Sequence, residues 1–178
     1  MESAPKFKLR EPFIILVLVF LGIYWTINAL NTGNVFWFLP VQPTFQPTRI
    51  VVRNYGETIE LQPGSPGFSD LAQALTETFG NGFDNTSLIS IGLSDETLQR
   101  YAEEELVIES YYGQEISFNT RVRMDGVTQL LIPLEGTHAD KRYLFFGGHG
   151  QWRVGAMIMQ DDSPLRTTMQ ALGYLSGE

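Results

Sequence analysis

From Pro12 to Thr48 not one residue carries a formal charge, although the chain of 178 residues has 32 charged side chains in all. No other feature constrains the fold as strongly. Inside the gap, residues 12–30 read PFIILVLVFLGIYWTINAL, and twelve of these 19 are Leu, Ile, Val or Phe. At ~1.5 Å of rise per residue, such a helix is close to the thickness of a bilayer's hydrocarbon core. The twelve apolar side chains favour insertion by about 4–7 kcal/mol in sum. A cleaved signal peptide also has a basic start and an apolar stretch, but this stretch is long and no Ala-x-Ala site follows it. A buried core helix would need a small domain to wrap it on every side. The expectation is therefore an uncleaved transmembrane helix over 12–30.

The charge gap also divides the chain by sign. Lys6, Lys8 and Arg10 against Glu2 and Glu11 leave residues 1–11 at +1, and the residues from Arg49 onward carry −9, together the −8 of the whole. Basic residues flank only the N-terminal end of the span. The positive-inside rule then predicts a cytoplasmic tail over 1–11 and an extracytoplasmic C-terminal domain, periplasmic or cell-surface, in the cell membrane. A domain this acidic does not suit nucleic acid, whose phosphates need a basic patch. With no cysteine, the chain has no disulfide, thiolate nucleophile, Cys-ligated zinc or iron–sulfur cluster, and no covalent c-type haem.

Tyr24 and Trp25 lie toward the outer end of the span, where aromatic belts form. Residues 31–47 form a linker that is not a plain tether. Phe36, Trp37, Phe38 and Phe45 alternate there with Pro40, Pro43 and Pro47, whose rings favour extended backbone. A free linker would be polar and flexible. These aromatics suit the outer membrane interface, a second membrane protein or the chain's own domain.

The remainder, 48–178, reads as an α+β domain: a mainly antiparallel sheet with two or three helices. Thr48–Arg53 and Glu57–Leu61 form a hairpin about Asn54-Tyr55-Gly56. Helices are expected over 68–79, over 95–103 with Ser94 as N-cap, and from Pro164 to about Tyr174 with Ser163 as cap. Strands are expected over 88–93, 106–112, 115–122, 128–133, 142–147 and 151–159, with a turn at Gly113-Gln114.

Chemistry is sparse. His138 and His149 stand in loops, with Glu135 and Asp140 near the first, and lack the spacing of a helical zinc pair. Gly147-Gly-His-Gly150 precedes a strand rather than a helix, so it reads as a tight turn and not a phosphate loop. Ser65 lacks a nucleophile elbow. Glu103-Glu-Glu105 reads as a solvated helix end or an acidic docking patch, and Asn85-Thr-Ser87 fits the glycosylation pattern. Arg121, Arg123, Arg142 and Arg153 would share one sheet, to bind an anion or to pair with acids. No catalytic, cofactor or metal residue is expected.

A short tail with Lys6, Lys8 and Arg10, one span over Pro12–Leu30 and an outer domain without cofactor motifs resembles single-span accessory subunits of bacterial membrane electron-transfer complexes. Alternative complex III and the reaction-centre assemblies of filamentous phototrophs have such subunits. The resemblance implies a non-catalytic subunit that helps assemble or stabilise a larger membrane complex, beside cofactor-bearing subunits and within the lipid bilayer. A single-pass sensor or regulator, whose outer domain binds a ligand or partner protein, is the alternative.

Overall fold

The computed structural model describes residues 10–32, 35, 45–84, 88–118, 120 and 124–176. Two compact units divide the chain, Met1–Pro40 and Val41–Glu178. The first contains helix α1, Arg10–Thr32, long and apolar enough to cross a membrane, with none of its apolar window buried.

The second unit is α+β. Its order is β1 (Arg49–Asn54), β2 (Glu57–Leu61), α2 (Phe68–Gly80), α3 (Asp95–Glu103), β3 (Leu106–Ile116), β4 (Val127–Pro133), β5 (Tyr143–Gly148), β6 (Gln151–Ile158) and α4 (Ser163–Ala171). The six strands form one antiparallel sheet in the order β2-β1-β3-β4-β5-β6. Two of its hairpins turn on a pair of left-handed residues, Tyr55-Gly56 and His149-Gly150. Such turns match the right-handed twist of the strands they join.

Alternation along the strands gives the sheet two different faces. On one, Ile50, Val52, Leu106, Ile108, Leu130, Ile132, Leu144, Phe146 and Met157 meet Leu71, Leu75 and Phe79 of α2 and Leu165 and Met169 of α4. The apolar positions of α2 recur at helical spacing and point into this core. On the other face, Val107, Leu131, Phe145 and Ala156 meet Tyr101 and Leu98 of α3 and Ile91 and Leu93 of the segment before it.

The structure departs from the sequence reading at several points. The turn expected at Gly113-Gln114 is part of β3, which runs unbroken to Ile116 with a register shift against β4 between Tyr111 and Ile116. The glycine there lies against Thr48 and bends the strand instead of ending it. The expected strand over 88–93 reduces to a single bridge, Ile89 to Ala156, which with Gly155 N–H to the Ile91 carbonyl covers the outer edge of β6. Asp162, not Ser163, is the N-cap of α4, with Pro164 in the first turn where its missing N–H costs nothing. Ser94 caps α3, its Oγ accepting from Thr97 N–H at 3.2 Å.

Candidate functional site

Helix α1 presents Phe13, Ile14, Ile15, Leu18, Phe20, Leu21, Ile23 and Ile27 on all sides. Its polar side chains bond back to their own helix. Thr26 Oγ1 donates to the Gly22 carbonyl at 2.8 Å, and Asn28 Nδ2 to the Tyr24 carbonyl at 2.8 Å. Bonding one turn back lowers the cost of placing a hydroxyl or an amide in hydrocarbon. Tyr24 and Trp25 are both exposed, as an aromatic belt requires, and Trp25 Nε1 donates to the Val35 carbonyl at 3.1 Å, just past the helix end.

Of the linker aromatics, Phe36, Trp37 and Phe38 lie outside the described residues. Phe45 packs against the chain's own second unit. It is 4% exposed and lies in the core of the second unit, stacked on Phe118 at 5.1 Å and edge-on to Phe79 at 5.3 Å. Offset-stacked and edge-on ring pairs of this kind stabilise beyond the area they bury. The Thr76 hydroxyl of α2 fastens it by donating to the Phe45 carbonyl at 3.0 Å. The folded domain therefore begins ahead of residue 48, the boundary expected from sequence. Beside this junction, Phe45, Pro47, Pro63, Phe68 and Ala72 line a largely apolar groove of about 610 Å³, with Gln73 and Glu77 at its rim.

A second cluster joins α3 to the loop after β4. Glu105, buried and not solvated as expected, accepts from Thr137 N–H at 2.8 Å and Thr137 Oγ1 at 2.7 Å. The Tyr101 hydroxyl meets His138 Nδ1 at 2.7 Å, and the imidazole packs beside Tyr143 and Phe145. His138 is thus half-buried in an aromatic cluster rather than free in solvent, and burial lowers its pKa from the usual 6.5. Burial likewise pushes the Tyr101 hydroxyl up. His138 and Arg142 both hold φ near the left-handed region, +70° and +52°. Few non-glycine residues do so unless neighbours hold them there. Here the Tyr101 contact and the Arg166 guanidinium, donating to the Leu134 carbonyl at 3.1 Å, brace the loop. Glu135 accepts from the Tyr55 hydroxyl at 2.7 Å and Asp140 pairs with Lys141 at 2.8 Å. His149 sits apart, in the β5–β6 turn. Among the described residues no three His, Asp or Glu side chains converge as metal ligands.

The glycines of Gly147-Gly-His-Gly150 have a packing role. A side chain at Gly147 would run into the Gln151 carbonyl and Gln129, and one at Gly148 into the Gly126 carbonyl. Arg153 donates to the Asp125 and Gly126 carbonyls of the β3–β4 connection, and Arg142 donates to the Gln160 carbonyl and pairs with Asp84 at 3.1 Å. These two arginines thus fasten separate loops and form no common anion site; Arg121, Arg123 and Asn85-Thr-Ser87 lie outside the described residues.

Sequence reading missed the buried Glu109 in the middle of β3. Its carboxylate accepts from Arg53 Nε at 2.5 Å and from the Tyr111 hydroxyl at 2.5 Å, while the Arg49 guanidinium stands 4.0 Å over the Tyr111 ring. Burial and the bond to Glu109 push the Tyr111 hydroxyl up. The signal was present, because a glutamate within LVIESYY can be buried only if a cation reaches it.

No family model, curated protein or solved structure matches this chain.

Proposed function

We propose that the chain is a non-catalytic, membrane-anchored accessory subunit that helps assemble or stabilise a larger membrane complex. One observation carries the reading. Helix α1 is apolar around its whole circumference and its Thr26 and Asn28 side chains bond back to its own backbone, so it is suited to lipid and to the flanks of other transmembrane helices. In support, the strongly bonded side chains of the outer domain, Glu105, Glu109 and Arg166, are fully engaged in bracing its own loops and strands.

In this reading α1 spans the bilayer with residues 1–11 in the cytoplasm and the acidic domain outside, as the one-sided placement of Lys6, Lys8 and Arg10 favours. Tyr24 and Trp25 rest at the outer interface. Phe36, Trp37 and Phe38 contact a neighbouring membrane subunit, and the apolar groove at Phe45 and Phe68 of the second unit offers a further surface. The architectural resemblance makes an electron-transfer assembly the complex of choice, with this chain contributing no redox centre.

The test compares native-gel migration of the tagged wild-type chain with that of a variant carrying Phe36→Ser, Trp37→Ser and Phe38→Ser. The wild type should run in a high-mass species and the variant as a free subunit whose outer domain keeps its melting temperature. Undiminished high-mass migration of the variant would remove the linker from the docking role. A wild type that runs alone would remove the accessory role itself.

A further inference from the structure

The sheet face opposite α2 and α4 is not closed along its whole length. Strand pairing sets Arg49, Tyr111, Gln129, Gly147 and Trp152 side by side, one from each of β1, β3, β4, β5 and β6. Tyr111 and Gln129 alternate with Glu109 and Leu131, and Trp152 packs against the smaller core, so all three side chains belong to this face.

Gln129 is the anomaly in that row. It is 4% exposed, yet among the described residues its amide has no hydrogen-bond partner. Among the described residues, the only fully buried side-chain polar atoms without a partner are Thr78 Oγ1 and Arg100 Nε, so the Gln129 amide still reaches solvent. The amide lies over Gly147, where a Cβ would stand 2.7 Å from Nε2, and is thereby directed toward Trp152. The indole N–H of Trp152, on a half-buried ring, is likewise without a partner among the described residues and in contact with solvent. On the other side, Tyr111 is held rigidly by Glu109 through its hydroxyl and by Arg49 over its ring. A nearly buried, unpartnered amide is uncommon, because a buried polar group without a bond is unfavourable. Here it lies beside the held ring of Tyr111, with Trp152 two strands away across Gly147.

We propose that this trough, floored by Gln129 between Tyr111 and Trp152, binds a glycan built of acetamido sugars. An acetamido group offers one N–H and one carbonyl, the complement of a primary amide. The C–H faces of a pyranose ring pack on aromatic rings, and the Trp152 N–H meets a ring hydroxyl. Three strand spacings separate Tyr111 from Trp152, about 14 Å, so more than one sugar ring can lie along the row. A neutral ligand also escapes the repulsion that this acidic domain exerts on anions. The proposal goes beyond the accessory role and does not depend on it.

The test is calorimetric titration of the full chain in detergent micelles with the tetramer of N-acetylglucosamine and, separately, with cellotetraose, which lacks acetamido groups. The expected result is saturable binding of the acetamido tetramer, about tenfold weaker binding of cellotetraose, and about tenfold weakening by Gln129→Leu. Trp152→Ala should abolish binding. Trp152→Phe, which keeps the ring and removes the N–H, should weaken it, and serves should either other variant fail to fold. Absence of binding by the folded wild type, equal affinity for the two tetramers, or undiminished affinity in folded variants of both Gln129 and Trp152 would overturn the proposal.

Discussion

The two faces of the sheet are built from alternate residues of the same strands, yet they solve different problems. The face under α2 and α4 is closed by aliphatic and aromatic side chains, with Leu130, Leu144 and Met157 wholly removed from solvent. The opposite face has a smaller apolar cluster under α3, then the Arg53–Glu109–Tyr111 chain, then the unpartnered Gln129. The first face stabilises by area and is indifferent to direction. The second depends on individual bonds and leaves surface available to something else.

Neighbouring leucines of β4 test this contrast most strongly. Leu130→Ala, on the larger core, should cost about 4–5 kcal/mol of unfolding free energy, and Leu131→Ala, on the smaller cluster, about 2–3 kcal/mol, both read by chemical denaturation of the full chain in detergent. Equal or reversed losses would break the comparison. Next in size, Arg53→Ala leaves Glu109 buried beside Tyr111 and should destabilise by about 1.5–3 kcal/mol, a loss partly recovered when Glu109→Gln is added. If the double variant is no better than the single, the pair is not the unit that holds this face. Ser94→Ala removes the cap of α3, which covers the second face only, and should cost about 1 kcal/mol.

The smallest effect is in pH. Burial lowers the folded-state pKa of His138 below 6.5, so the unfolded chain takes up the proton first as pH falls. Stability is therefore complete above about pH 6.5 and declines as pH falls from there toward the folded pKa. The melting temperature should fall between pH 7 and 5, and His138→Gln should flatten that slope. An unchanged slope would show that the Tyr101–His138 contact does not discriminate between protonation states.

Much of the fold could be read from local signals. The charge gap predicts α1, Asn54-Tyr55-Gly56 the first hairpin, the spacing of Phe68, Leu71, Leu75 and Phe79 the face of α2, and Ser94 the start of α3. The failures have a common cause, since each residue is governed by a partner distant in sequence. Gly113 reads as a turn until Thr48 is seen lying against it, and Phe45 as a linker aromatic until Phe118 and Phe79 enclose it. His138 reads as a loop histidine and Glu105 as solvated, because the residues that contact them, Tyr101 and Thr137, come from across the α3–β4 junction. Gln129 shows nothing unusual in sequence, since what marks it is the absence of a bond.

Mild-detergent purification of the tagged chain from its native membranes, followed by mass spectrometry of what remains bound, tests the anchored accessory role most directly. The account predicts stoichiometric recovery of multi-span or cofactor-bearing subunits. Recovery of the chain alone, as monomer or homodimer, would contradict it.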